Sequence, residues 1–299
     1  MIVTMLTNII DLHTHTIYSD GSEHPRQLIT MAHAAGACAV AVTDHDTVGG
    51  LEEARTAASA LGLEFINGIE ISAEYSPGTM HILGYYIDDA SVLLNATLME
   101  LRTARDTRNP QIAARLQSLG FDISYEEVAE LAGNEVVGRP HFARVLVDRG
   151  YADSIQDAFN RFLAKGAAAY VEKRRLSPAE SIDLIHKAGG AAVLAHPYQL
   201  KLATLADVEA LLVELASMGL DGVEAIYSRH KPADRQAYAE MAERLGLIVT
   251  GGSDFHGTYK PDISIVKGTG DLHVPHSLLD AVRERAAFWG NQRISDGAS

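Results

Sequence analysis

Short apolar runs alternate along the chain with longer stretches in which apolar positions return every three or four residues. NIIDLH, CAVAVTD, LEFINGIEIS and TMHILGYYI have the length and β-branched content of strands, while PRQLITMAHAAG and LEEARTAASALG have helical spacing. Their order predicts βαβαβ followed by a further strand. The scheme resumes with SPAESIDLIHKAGG, AAVLAHP, ADVEALLVELASMG, DGVEAIY, PADRQAYAEMAERLG and LIVTGGSDFH. Ser177, Pro178 and Glu180 supply an N-cap, a first-turn proline and the acid of a capping box, and Gly189 with Gly190 can end the helix so begun.

From about Ser91 to Gly166 the pattern turns wholly helical: LMELRTARDTRNPQIAARLQSLG, SYEEVAELAG, RPHFARVLVDRG and SIQDAFNRFLAKG. The prediction is one α/β domain from residues 1–90 and 167–299, with a small all-helical insertion at 91–166 read as a substrate lid. A length of 299 residues suits one large domain with such an insertion. The polar tail after Trp289 is expected to fray.

Composition narrows the class. With 47% hydrophobic and 21% charged residues the chain has the balance of a globular protein. No run of 18 uninterrupted apolar residues occurs, and MIVTMLTNII lacks the basic start and cleavage site of a secretory signal, so the expectation is a soluble, cytoplasmic protein without membrane attachment. The single cysteine, Cys38, excludes a disulfide within the chain and reads as a buried strand residue. A formal charge of −14 opposes binding to duplex DNA or an anionic membrane. That sum counts cation-binding carboxylates as bare charges, so a small anionic substrate stays compatible with it. No feature specifies an oligomeric state.

The chemistry gathers at strand ends. Asp11-Leu12-His13-Thr14-His15 closes the first strand, and alternate strand residues share a face, so His13 and His15 can present two imidazoles to one ion. Two histidines alone are a weak motif, but the pattern recurs. Asp44-His45 follows the second strand, Glu70 closes the third, His81 lies in the fourth, and His196 and Asp254 with His256 end later ones; Asp20 comes from the loop after the first. In parallel barrels the C-terminal strand ends converge on one face. Residues far apart in sequence would then share a pocket as ligands of divalent cations, without which so many buried charges would be costly.

DLHTHT, TDHD, GIEIS with a downstream His81, AHP and SDFH resemble, in order and spacing, the successive motifs of the PHP (polymerase and histidinol phosphatase) family. The resemblance spans nearly the whole chain outside the helical insertion. It implies a distorted (β/α)7 barrel and three divalent metal ions. His13, His15, Glu70 and Asp254 would hold one ion, Glu70 would bridge to a second held by His81 and His196, and Asp20, His45 and His256 would hold the third. Asp20 in place of a histidine favours Mn²⁺ or Fe²⁺ and leaves Zn²⁺ open. Asp11 and Asp44 would orient ligand imidazoles or cap turns. A metal-bound water would be the nucleophile, with Glu70 and His256 in catalytic roles, making the chain a metal-dependent phosphoesterase.

The insertion bears on substrate. Arg102 and Arg105 lie three apart on a helix, and Gly138-Arg139-Pro140-His141 brings a guanidinium and an imidazole to a helix start; these could grip a second phosphate or be solvated surface residues. A PHP barrel whose insertion carries RPHFAR resembles the branch of 3',5'-nucleoside bisphosphate phosphatases and 5'-3' exoribonucleases. That implies a nucleotide or short RNA with a 5'-phosphate, cleaved at its 3'-phosphoester. Histidinol-phosphate hydrolysis and a noncatalytic metal-binding regulatory module are the competing readings. Gly251-Gly252 reads as a tight strand exit, since no P-loop lysine follows. His24, His33, His186, His230, His273 and His276 fall outside the strand-end pattern and are expected on the surface or on helix faces, while Tyr227 is read equally as pocket lining or barrel packing.

Overall fold

A computed structural model of the chain describes residues 8–132, 137–172 and 174–295. The chain forms two compact units, the first from the described residues up to Thr97 and from Arg175 onward, the second from those within Leu98–Arg174. The strands are β1 (Ile10–Asp11), β2 (Ala39–Val42), β3 (Glu64–Ala73), β4 (Met80–Tyr85), β5 (Ala191–Leu194), β6 (Gly222–Tyr227) and β7 (Ile248–Gly252). The helices are α1 (Pro25–Ala34), α2 (Leu51–Leu61), α3 (Val92–Ser118), α4 (Tyr125–Ala132), α5 (Arg139–Asp148), α6 (Ile155–Ala158), α7 (Pro178–Lys187), α8 (Leu205–Ser217), α9 (Pro232–Leu245) and α10 (Leu278–Ser295).

All seven strands belong to the first unit and pair in chain order. Leu12 N donates to Gly251 O (3.2 Å), Asp254 N to His13 O (2.8 Å) and His15 N to Phe255 O (2.9 Å), which draws the β1 edge against the β7 edge and nearly closes a barrel. At that seam Gly252 is needed for close approach, since a Cβ there would fall 2.3 Å from the Cβ of His13. Both Gly251 and Gly252 lie within β7.

One strand departs from the parallel scheme. β4 runs antiparallel to both β3 and β5, whereas the remaining neighbours are parallel. Only residues 74–79 join β3 to β4, too few for a helical crossover, so the chain must turn back as a hairpin. The reversal brings the N-terminal end of β4 to the face where the C-terminal ends of the other strands gather. His81, the second residue of β4, reaches that face for this reason.

The barrel interior is filled by Ile10, Leu12, Ala39, Ala41, Ile66, Leu83, Val193 and Ala195, all buried, and α10 packs Leu279, Val282 and Ala286 against the same core. Burying a Leu or Ile side chain stabilises by about 1.5–3 kcal/mol, so this inward face holds the strands in register. The α7 capping box forms, with Ser177 Oγ accepting from Glu180 N (3.2 Å) and Glu180 Oε2 accepting from Ser177 N (2.7 Å); Gly189 follows the helix at φ 79°. The described part of the tail departs from the expected fraying: α10 stays helical through Ser295, Trp289 Nε1 donates to Asp221 (3.1 Å), and Arg293 pairs with Asp88 (2.6 Å). Cys38 precedes β2 and is half-buried rather than buried within it.

The second unit has its own core, in which Ile112, Leu116, Ile123, Val128, Phe142, Leu146, Phe162 and Leu163 are buried. Its bounds differ from the 91–166 of the sequence pattern. Residues 92–97 of α3 belong to the first unit, and the chain beyond 166 supplies Ala169 and Val171 to the helical core. Among the described residues no helix is long and apolar enough to cross a membrane.

Candidate metal centre

The backbone ladder continues past the strand ends and sets ligand-type residues side by side: Thr43 N donates to Thr14 O (2.9 Å), Glu70 N to Asp44 O (3.2 Å), and Ala195 N to His81 O (3.0 Å). Five imidazoles form a closed circuit, with ring centres 5.1 Å apart for His13 and His15, 4.7 Å for His15 and His45, 4.7 Å for His45 and His81, 5.2 Å for His81 and His196, and 5.4 Å for His196 and His13. His256 joins at 4.2 Å from His15.

Glu70, fully buried, stands inside this circuit. Its Oε1 lies 2.8 Å from His81 Nδ1 and 2.9 Å from His196 Nε2. Its Oε2 lies 3.2 Å from His13 Nε2, 3.1 Å from His15 Nε2 and 3.2 Å from His45 Nδ1. Although three nitrogens crowd it, Glu70 Oε2 makes no hydrogen bond of acceptable geometry, and neither does His45 Nδ1. Donor atoms that surround a common cation behave in this way, since each points at the ion and not at its neighbour. Ligands about 2.1 Å from one ion stand roughly 3.0–3.4 Å from each other. Asp254 Oδ1, at 3.6 Å from His13 Nε2 and 3.4 Å from His15 Nε2, forms a group of three with these two rings, while Glu70 groups with His13 and His196 and with His45 and His81.

A further group surrounds Asp20, whose carboxylate lies 3.5 Å from His15 Nδ1, 3.7 Å from His45 Nε2 and 3.3 Å from His256 Nε2. His45 thus turns one ring nitrogen to Asp20 and the other to Glu70. All nine strand-end residues of the sequence pattern meet in these clusters, whose His and carboxylate donors are able to bind metal ions.

Electrostatics favour cations here. Burial alone would raise the carboxyl pKa values of Glu70 and Asp254, yet His45, His81 and His13 hold Glu70 well below the ordinary carboxylate range, and His15, His13, His256 and Lys260 do the same for Asp254. Burial likewise works against a charged His15, but Asp254 and Glu70 raise it to about 9. At His45 burial prevails over Glu70 and Asp20 and lowers the ring to about 3. The carboxylates impose a potential that some positive charge must answer, and a divalent ion answers it while accepting the nitrogen lone pairs.

Two strand-end residues are strained. His196 has φ 23° and Asp254 φ 59°, positive values that cost a non-glycine residue about 1–3 kcal/mol and that collect at functional sites. Around them lie partners that the pattern of strand-end residues did not single out. Glu224, fully buried in β6, accepts from His13 Nδ1 (2.9 Å) and from His196 N (2.8 Å). Lys260 Nζ donates to Asp254 Oδ2 (2.8 Å), and so does Tyr227 Oη (2.9 Å), whose phenol burial and Asp254 keep protonated. A charged residue inside the apolar run GVEAIY was the available signal for Glu224.

Asp11 and Asp44 take backbone-fixing positions and reach no imidazole directly. Asp11 accepts from Ser253 N (2.8 Å), Ser253 Oγ (2.6 Å) and Val266 N (2.8 Å), tying the barrel seam. Asp44 accepts from Thr16 N (2.7 Å), Thr16 Oγ1 (2.6 Å) and Ser19 Oγ (2.6 Å), and Ser19 Oγ is 3.4 Å from His15 Nδ1. His230 is not on the surface: it is buried, with Nδ1 donating to Ala225 O (2.9 Å). His186, on α7, is buried too, stacked on Trp289 at 3.5 Å and bonded to Asp221.

The insertion residues belong to the second unit. Arg102 is exposed on α3, and the side chain of Arg105 lies outside the described residues. Arg139 Nη1 donates to Leu163 O (3.0 Å), and its guanidinium sits 5.9 Å from the Phe159 ring centre and 5.6 Å from that of Tyr170. His141 Nδ1 accepts from Gly138 N (3.0 Å), closing the first turn of α5.

Comparison with known proteins agrees with this geometry. The PHP domain model matches residues 11–258. The 3',5'-nucleoside bisphosphate phosphatase of Chromobacterium violaceum is 36% identical over 83% of this chain and 87% of its own length. A 5'-3' exoribonuclease of Haemophilus influenzae is 35% identical over 84% of this chain and 91% of its own. A solved structure from Bifidobacterium adolescentis, assigned as a metal-dependent phosphoesterase, superposes with TM-score 0.72 at 31% identity, covering 92% of this chain and 96% of that one. The chain belongs to the PHP family and is a metal-dependent phosphoesterase, a hydrolase built on a barrel whose strand ends gather histidines and carboxylates around one shared glutamate.

Proposed function

We propose that the chain hydrolyses the 3'-phosphoester of nucleotides that carry a 5'-phosphate, namely 3',5'-nucleoside bisphosphates and short 5'-phosphorylated RNA. The observation that carries this reading is Glu70, with both carboxylate oxygens shared among five imidazoles, in a chain whose relatives include a 3',5'-nucleoside bisphosphate phosphatase and a 5'-3' exoribonuclease. His13, His15, Asp254 and Glu70 Oε2 would hold one ion, Glu70 Oε1 with His81 and His196 a second, and Asp20, His45 and His256 a third. The mixed nitrogen and carboxylate donor set suits Mn²⁺ or Fe²⁺ and accommodates Zn²⁺.

Divalent ions held by these residues would supply an activated water at neutral pH and offset charge at phosphorus. The chain's own residues prepare the centre for them. Glu70 is the bridge. Tyr227 and Lys260 occupy Asp254 Oδ2 and so leave Oδ1 facing inward. His256 Nδ1 donates to Asp254 O (2.8 Å), which directs Nε2 at Asp20. Arg102, Arg105, Arg139 and His141 are assigned to the 5'-phosphate, for which guanidinium forks are the suited donors.

The test compares phosphate release from adenosine 3',5'-bisphosphate, 5'-phosphorylated oligoribonucleotides and histidinol phosphate with Mn²⁺ present. Faster release from the nucleotides is expected. Preference for histidinol phosphate would overturn the substrate assignment, and absence of hydrolysis across the panel would overturn the nucleotide reading altogether.

A further inference from the structure

We infer that Glu224 is a positioning residue that couples the two ligand groups bridged by Glu70, a role that rests on the metal centre proposed above. β6 contributes none of the proposed ligands. It carries Glu224 opposite Thr250 of β7, with the carboxylate fully buried. The two oxygens are divided between the groups: Oε1 is 2.9 Å from His13 Nδ1, and Oε2 is 2.8 Å from the backbone N of His196.

Each contact fixes a different degree of freedom. A carboxylate can only accept, so the proton of a neutral His13 must sit on Nδ1, which leaves the Nε2 lone pair facing Glu70 Oε2 and Asp254 Oδ1. At His196 the contact holds the backbone N–H of a residue at φ 23° and ψ 73°, a conformation that histidine otherwise rarely adopts. His196 Nε2 then meets Glu70 Oε1 at 2.9 Å. One buried carboxylate therefore sets the tautomer of a donor in one group and the backbone of a donor in the other.

Glutamine cannot replace it. An amide has one acceptor oxygen, and its NH₂ would face an N–H. Either His13 changes tautomer and loses its Nε2 lone pair, or the His196 N–H loses its acceptor. Aspartate keeps two acceptor oxygens on a shorter stem.

The experiment measures Mn²⁺ bound by the full chain at a series of fixed free Mn²⁺ concentrations, for wild type, Glu224→Gln and Glu224→Asp, with circular dichroism as the check on folding. Mn²⁺ affinity should fall by about 10–100-fold in Glu224→Gln, the scale of losing a hydrogen bond to a ligand's far side, with partial recovery in Glu224→Asp. Affinity and stoichiometry within twofold of wild type in Glu224→Gln would overturn the inference while leaving the metal centre standing. Failure of the wild type to bind Mn²⁺ would remove the centre and the inference together. Should Glu224→Gln not fold, ¹⁵N imidazole spectra of the Zn²⁺-loaded wild type decide the matter. His13, assigned by loss of its signal in His13→Gln, should carry its proton on Nδ1, and a proton on Nε2 would overturn the inference.

Discussion

The barrel and the helical insertion use ionisable residues in opposite ways. In the barrel His13, His15, Asp44, Glu70, His196, Glu224, Asp254 and His256 are each at most 3% exposed. In the insertion Arg108 is buried, but the surface charges stand in water as loose pairs such as Arg144–Asp148, Arg149–Glu127 and Arg161–Asp157. A desolvated charge must be answered by a specific partner, whereas a solvated one is answered mostly by water. Substitutions should therefore have large and indiscriminate effects in the barrel, and small or substrate-selective ones in the insertion.

The largest effect is expected at Glu70. Glu70→Ala removes the carboxylate shared by five imidazoles, and turnover on any phosphate ester should drop by roughly a thousandfold or more, the scale seen when a single preorganised stabilising group is lost from a reaction centre. Bound-metal analysis of the variant should show lost ions as well. A loss of less than tenfold, with full metal content, would mean that burial of these groups does not signify shared dependence.

Buried ionisable groups of the barrel outside the metal centre should also couple to stability. Burial lowers His230 to about 4, from an unfolded value of 6.5, and prevails over the bond from Nδ1 to Ala225 O, which favours the charged ring. Below pH 6.5 the unfolded chain takes up a proton that the folded one refuses, so stability falls as pH falls toward 4, by about 3 kcal/mol over the full window. Urea midpoints at pH 7 and pH 5 should fall further apart in the wild type than in His230→Gln, by about 2 kcal/mol of unfolding free energy. Equal pH dependence in the two proteins would place the responsible group elsewhere.

This contrast also explains what could be read in the chain. Period-two and period-3.6 patterns located the strands and most barrel helices, and the capping box at Ser177 marked the start of α7 because its chemistry is local. The ligand-type residues were legible because histidines and acids recur at successive strand ends in the order of the PHP motifs, although the same position also serves Asp11 and Asp44, which fix the backbone. The direction of β4 was hidden, since antiparallel pairing depends on a short connection and not on the strand's own residues. So was Glu224, one acid within an apolar strand, whose meaning depends on His13 and His196 arriving from distant segments. α10 was missed because only a narrow stripe of Leu279, Val282 and Ala286 is buried on an otherwise polar helix. In the insertion, sequence placed arginines on helices but could not show that Arg139 is engaged by Leu163 O, Phe159 and Tyr170.

Selective effects should begin at that arginine. If Arg139 serves the 5'-phosphate, Arg139→Ala should lower kcat/KM for adenosine 3',5'-bisphosphate by about 10–100-fold, the worth of a charged hydrogen bond, and leave a chromogenic phosphate monoester nearly unaffected. Equal losses on both substrates would show that its contacts with Leu163 O and the two rings serve the fold and not the phosphate.

The smallest effect should come from a solvated pair in the same unit. Arg161 Nη1 lies 2.9 Å from Asp157 Oδ2, four residues back, and the Arg161 side chain is 51% exposed. Hydrogen bonding to Arg161 holds Asp157 below the ordinary carboxylate range, but in water and salt such exposed pairs contribute little to stability. Arg161 also lies 4.6 Å from the ring centre of Phe162 and bonds to Tyr151 O (3.2 Å). Arg161→Ala should shift the urea midpoint only slightly and change neither metal content nor the ratio of nucleotide to monoester hydrolysis. A change in that ratio comparable to that of Arg139→Ala would move the recognition surface toward Arg161, and the division between a demanding interior and a tolerant helical surface would have to be redrawn.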